Sequence, residues 1–192
     1  MQRKVIDLIY DSTVNGTFIY LRSVLEKDAE FILRLRLDER LNKYLSKVNN
    51  NLEKERAWIR EHKALDNDFY FLIVRKDDEP LGTISLYNIK GSEGEFGRWV
   101  SVGNAAENLE SVLLLHDFGF YTLDLDLIYS KTVKENVRVL NFHRRFGAEI
   151  LDEFREYNGF VVQKAVIRRE NYPDIRLKNQ KILDSLSKSL KG

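Results

Sequence analysis

The sequence predicts an α+β fold, a single domain over residues 1–192 in which helices flank a central, mostly antiparallel sheet and an extra helix follows at the C-terminus. Three observations predict it. Phe69 to Arg75, Leu81 to Ile89 and the run from Glu95 are β-prone segments joined by the turns Asp77-Asp-Glu-Pro80 and Gly91-Ser-Glu-Gly94, which makes an antiparallel meander. From Glu95 to Ala148 the order is strand, helix, strand, helix. That is a βαβ unit, whose right-handed crossover leaves a helix N-terminus beside the end of the first strand. Beyond Pro173, Ile182, Leu183, Leu186 and Leu190 space out the apolar face of one more helix.

Taken in order, Val5 to Tyr10 and Thr17 to Arg22 flank the hairpin dipeptide Asn15-Gly16 and are expected to pair as strands. Ser23-Val-Leu-Glu26 fits a capping box, so a helix is expected from about Leu25, with Ala29, Ile32, Leu33 and Leu37 on its apolar face. A second helix is expected over Arg40 to Leu45 and a third over Leu52 to about Ala64. Amphipathic spacing makes Trp58 a core anchor, while Tyr44 is a candidate for lining a pocket.

The strand Phe96 to Val102 turns at Gly103-Asn104 into a helix that is apolar nearly all round (Leu109, Val112, Leu113, Leu115, Phe118), which demands burial against the sheet. Leu125 to Ser130 is the next strand, and a short helix ends at Gly147. Ile150 to Tyr157 and Phe160 to Arg169 then flank Asn158-Gly159, the strongest hairpin signal in the chain. The core is expected over about residues 17–169 and a helical extension over 170–192.

Composition narrows the function classes. Thirty-one basic residues against 30 acidic ones give a net charge of +1, which argues against nucleic acid as a partner. No stretch approaches the roughly eighteen apolar residues of a membrane span, and the N-terminal apolar run is too short for a signal peptide, so a cytoplasmic protein is expected. With no cysteine there is no thiolate metal site and no cysteinyl acyl-enzyme. His62, His116 and His143 lack metal-ligand spacing, so no metal is expected.

Glu95-Phe-Gly-Arg-Trp-Val100, the helix ending Phe118-Gly-Phe-Tyr121, and Asn136 followed by Leu140-Asn-Phe-His-Arg-Arg-Phe-Gly-Ala148 resemble the GCN5-related N-acetyltransferase (GNAT) superfamily. The likeness is to the branch of ribosomal-protein N-terminal acetyltransferases and amino-sugar acetyltransferases. It implies a splayed sheet with acetyl-CoA, the co-substrate, lying in a V between two central strands. The pantetheine would pair with backbone groups of Val100 and Val102, and the pyrophosphate would meet the amides of Gly103, Asn104, Ala105, Ala106 and Asn108 at the helix N-terminus. One motif departs from the family: glycines are usual in this loop, and here Ala106 and Asn108 stand among them. Asn104-Ala-Ala-Glu107 also forms a potential capping box, which would put a carboxylate near the phosphates.

The resemblance further implies that Asn136 holds the cofactor region and that His143 occupies the place of an acid that protonates the departing thiolate. A protonated histidine tuned near neutrality can do this, and a packed polar residue is the alternative. Glu95 is the candidate base for the amine, with a solvated strand-end glutamate as the rival reading. Glu110 and His116 read as structural or surface residues. The activity implied is direct N-acetyl transfer from acetyl-CoA to a primary amine, with a nucleotide-linked amino sugar as acceptor. A protein N-terminus is the alternative acceptor, and a GNAT-fold binding module without turnover is the reading from another class. The C-terminal helix raises the prospect of a homodimer.

Overall fold

The computed structural model describes residues 10–157 and 160–189. Eight strands form one sheet in the spatial order β1 (Thr13–Asn15), β2 (Ile19–Ser23), β3 (Phe69–Arg75), β4 (Pro80–Lys90), β5 (Glu93–Ser101), β6 (Leu127–Val133), β8 (Phe160–Arg168) and β7 (Glu149–Tyr157). All neighbours are antiparallel except β5 and β6, which are parallel. Five helices accompany them among the described residues: α1 (Ala29–Leu37), α2 (Leu52–Lys63), α3 (Ala105–Asp117), α4 (Val137–Phe146) and α5 (Tyr172–Ser189).

The parallel pair is where the sheet opens. β5 and β6 share only the register Glu93 to Leu127, Gly94 to Ile128 and Glu95 to Tyr129. Past that point β6 stays on β8 as far as Val133, while β5 follows β4 to Ser101. Two strands that part after three residues leave a V between them. On the β4 side, the register slips between Thr83 and Ser85, and Arg98 takes a left-handed φ of 48° within the slipped stretch of β5. Such a bulge bends the strand away from its old course. Gly82 permits the close approach of β4, because a Cβ there would lie 2.2 Å from the Val100 carbonyl oxygen.

Alternation along β3 divides the core. Phe69, Phe71 and Ile73 face α3 and α5, together with Leu21, Ile84, Leu86 and Phe118, while Tyr70, Leu72 and Val74 face Ile32 of α1 and Ile59 of α2. The α3 sequence is apolar nearly all round because it is packed nearly all round, and its Glu110 is buried as well. That carboxylate accepts the backbone N–H groups of Thr17, Phe18 and Ile19 at 2.5, 2.7 and 2.9 Å. It ties the β1–β2 turn to the helix, the structural role expected of it.

Some sequence expectations are corrected, and others fall outside the described residues. Most of the strand expected over Val5 to Tyr10 lies outside the described residues, and Tyr10 itself is helical, so the hairpin partner of β2 is Thr13–Asn15. The turn at Asn158-Gly159 and the apolar Leu190 also lie outside them. Ser23 ends β2 rather than capping a helix. Asp28 accepts the Leu25 N–H at 2.8 Å and pairs with Arg22, and a 3-10 turn over Glu26–Asp28 runs into α1 at Ala29, so the chain does become helical just after Leu25 as expected. Residues 40–45 form turns, because the Asp38 carboxylate accepts the Arg40 backbone N–H and guanidinium and so competes with helix formation.

The C-terminal helix is part of the core. Tyr172 is fully buried, its hydroxyl 2.7 Å from Asp117 and 3.1 Å from the Leu113 carbonyl, and Arg176 forks onto Asp117. Asn179 donates to the Phe146 carbonyl at 2.7 Å, and Ile175 packs where Gly147 has no side chain.

Candidate active site

Two clefts flank the V, one on each face of the sheet. The first, about 620 Å³, lies on the α3–α4–α5 face and is walled by Trp99, Ala105, Asn108, Arg138, Phe142 and Leu186 among others. Two of its wall residues carry buried polar atoms without a partner, the Trp99 indole Nε1 and the Asn108 Oδ1. Both atoms are closed off from solvent, one a donor and one an acceptor. Arg138 and Arg145 also line it and are exposed, so positive charge is available for phosphates.

The helix N-terminus beside this cleft is already occupied by its own residues. Asn104 Oδ1 accepts the N–H groups of Ala106 and Glu107 at 2.9 and 3.1 Å, and Glu107 Oε2 accepts the Asn104 N–H at 2.7 Å. The Asn108 N–H goes to the Asn104 carbonyl, that of Gly103 to Ser101 Oγ, and that of Val102 to the Leu81 carbonyl. Of the amides assigned to pyrophosphate from the sequence, that of Ala105 is left. The capping box read from Asn104 and Glu107 is present, and Arg75 Nε meets the same carboxylate at 2.7 Å, so its charge is answered within the fold.

Val100 and Val102 are likewise turned away from the opening. Peptide groups alternate sides along a strand, and Val102 bonds to β4 while Val100 stands opposite Thr83. The open edge of β5 is therefore presented by Trp99 and Ser101.

The second cleft, about 510 Å³, lies on the α1–α2 face. Tyr70, Thr83, Tyr87, Arg98 and Val100 form its sheet wall, and the far wall includes Arg36, Tyr44, Lys47, Lys54, Glu55 and Trp58. The strained Arg98 sits at its base. Its guanidinium lies over the rings of Tyr87 (4.2 Å), Trp58 (4.9 Å) and Tyr70 (5.6 Å) and pairs with Asp68 at 2.7 Å. Tyr44 lines this cleft as expected and donates its hydroxyl to the Glu135 carbonyl at 3.1 Å, bridging the far wall to the loop before α4. Trp58 does both things, packing on the core through Tyr70 and walling the cleft.

The remaining candidates sit between the clefts. Glu95, at the fork, is buried, and its oxygens accept from Tyr87, Asn88, Tyr129 and Lys131 at 3.0 to 3.4 Å. It is no solvated strand end: four donors from β4 and β6 hold it. His143, on α4, is buried with Nε2 3.2 Å from Ser130 Oγ on β6 and its ring against Phe96. Burial, then the neighbouring His116, pulls its pKa down to about 4. The expected protonated acid near neutrality is thus corrected: the ring is neutral at pH 7. Asn136 caps α4, its Oδ1 accepting the Val139 N–H. Sequence reasoning missed Glu55, Arg98 and Trp99, because an exposed-looking helix glutamate, a bulge arginine and a strand tryptophan carry no spacing signal.

Residues 19–149 match the acetyltransferase (GNAT) domain family, and the chain belongs to it. Among solved structures, it is similar to apo FdhC, a nucleotide-linked sugar GNAT, at 29% identity over 90% of this chain and 99% of that one, with a TM-score of 0.78. It is similar in fold to a GCN5-related N-acetyltransferase from Brucella melitensis (15% identity, 90% and 86% covered, TM-score 0.78). A variant of the SpeG spermidine N-acetyltransferase from Vibrio cholerae also shares the fold (16% identity, 82% and 97% covered, TM-score 0.70). No curated protein matches the sequence.

Proposed function

We propose that this GNAT acetyltransferase moves the acetyl group of acetyl-CoA directly onto the primary amine of a nucleotide-linked amino sugar. The observation that carries the acceptor class is the α1–α2 cleft, whose walls join the cations Arg36, Lys47 and Lys54, beside the Asp68-paired Arg98, to the carboxylate of Glu55 and the aromatic rings of Trp58 and Tyr87. An acceptor that is anionic at one end and ammonium at the other matches that charge pattern, and the likeness to a nucleotide-linked sugar GNAT supports it. Spermidine, cationic throughout, matches it poorly.

Acetyl-CoA is assigned to the α3–α4–α5 cleft. Arg138 and Arg145 would meet the phosphates, in place of the internally bonded loop amides. In the transfer the amine nitrogen attacks the thioester carbonyl, the C–S bond breaks, and the proton lost by nitrogen ends on the departing thiolate. Glu95 holds β4, β5 and β6 together where the V opens and so sets its angle.

Free CoA release, measured with thymidine- and uridine-diphosphate amino sugars, spermidine and peptide N-termini, tests the reading. The nucleotide sugars are expected to be turned over best. A preference for peptides favours an N-terminal acetyltransferase, and acetyl-CoA binding without release from any amine leaves a binding module. Replacing Arg138 and Arg145 together by alanine is expected to weaken acetyl-CoA binding about tenfold or more, as loss of charge-assisted phosphate contacts does. An unchanged affinity by calorimetry removes those residues from the donor site.

A further inference from the structure

We propose that Glu55 is the group that receives the acceptor's ammonium and thereby selects amines. The inference rests on the acceptor reading above. Six carboxylates are buried among the described residues: Asp28, Glu55, Asp68, Glu95, Glu107 and Glu110. Five are fully answered within the fold. Asp28 has Arg22 and a backbone N–H, Asp68 has Arg98, Glu95 has four donors, Glu107 has Arg75 and a backbone N–H, and Glu110 has three backbone N–H groups. Glu55, only 8% exposed, has a buried Oε1 with no partner.

A buried charge without a partner is costly, and folds do not keep one without a reason. Here the position supplies the reason, since Glu55 stands in the wall of the acceptor cleft one helical turn before Trp58. The nearby cations do not satisfy it: the Arg36 guanidinium bonds to Ser46, and Arg98 bonds to Asp68. Arg36 and His62 act on it through space, but burial outweighs them and raises its pKa above the ordinary glutamate value. A primary ammonium brings three N–H donors and a positive charge, the complement of what is missing. Lys47 and Lys54 are left for the acceptor's anionic part, with its amine at Glu55.

The test compares each amino sugar with its hydroxyl counterpart, UDP-glucosamine with UDP-glucose and thymidine-diphosphate 3-amino and 4-amino sugars with their parent sugars, by calorimetry on the intact chain. The wild type is expected to bind at least one amino sugar tenfold or more tighter than its counterpart. Glu55→Gln is expected to bind the two alike while keeping acetyl-CoA affinity and a melting temperature equal to or above that of the wild type, because an unpaired charge has been removed. The same amine preference in Glu55→Gln overturns the inference, as does a wild type without preference or without binding to any of these sugars. A melting temperature several degrees lower in Glu55→Gln overturns it too, since it shows a structural partner. A chain that binds acetyl-CoA and acetylates another amine, yet shows no such preference, keeps the transferase reading and loses this one.

Discussion

On the α3–α4–α5 face, the helix end at Asn104 is closed by its own side chains, and the last helix is bolted to Asp117, Phe146 and Leu113 by buried hydrogen bonds. On the α1–α2 face, the far wall includes turns rather than a helix over residues 40–45, and a buried carboxylate stands without a partner. The contrast teaches where each face expects its ligand to contribute. The first has its helix end and its last helix satisfied within the fold, and on the proposed reading Arg138 and Arg145 are left for the donor's phosphates. The second keeps a buried carboxylate oxygen without a partner, which on the proposed reading the acceptor's ammonium meets. Three measurements break or sharpen this contrast.

The largest effect is expected at Tyr172. If the first face is complete only with α5 in place, Tyr172→Ala removes a fully buried ring and its two hydrogen bonds and costs about 3–5 kcal/mol in urea unfolding. A cost under about 1 kcal/mol would return α5 to the status of an extension, as the sequence alone had it.

Next in size is the response to acid. His116 and His143 both lie on the first face, and burial holds each at a pKa of about 4. In the unfolded chain both titrate near 6.5, so between pH 6.5 and 4 the unfolded state binds more protons and stability falls as pH falls. At pH 5 the loss is about 2 kcal/mol for each ring. Urea unfolding at pH 7 and pH 5 checks it, and hydrogen exchange is expected to rise first in α3 and α4. A flat profile over that range would mean that the rings are not buried as neutral groups.

How much of this was legible in the sequence follows from the kind of interaction involved. The meander, the βαβ order and the cap at Asn104 are local, and local spacing reports them: Asn104 and Glu107 sit three residues apart and do bond to one another. Interactions that close across the fold left no such trace. Arg75 is 32 residues from Glu107, Glu110 is 91 to 93 from the turn it holds, and Tyr172 is 59 from Leu113. The same gap explains His143, where the heptad spacing from Asn136 gave the helix but not the burial that strips its proton. For the α1–α2 cleft almost nothing was visible beyond Tyr44, because its defining feature is a bond that Glu55 does not make.

The smallest effect, and the sharpest for the donor face, concerns Glu107. Read from the sequence alone, its carboxylate either faces the phosphates, so that neutralising it should tighten acetyl-CoA binding, or points into solvent, so that neutralising it changes little. Two like charges a few ångströms apart are worth about 1 to 4 kcal/mol, which would appear as a tightening of about five-fold or more. The structure gives a different expectation, since the carboxylate is spent on the Asn104 N–H and on Arg75. Glu107→Gln then leaves acetyl-CoA affinity within about twofold by calorimetry, and Glu107→Ala lowers stability by the roughly 1 kcal/mol that a lost helix cap costs. Tightening of tenfold in the glutamine variant would show that Arg75 does not neutralise the site. The α3–α4–α5 face would then resemble the α1–α2 face, carrying a charge that the fold has left unanswered.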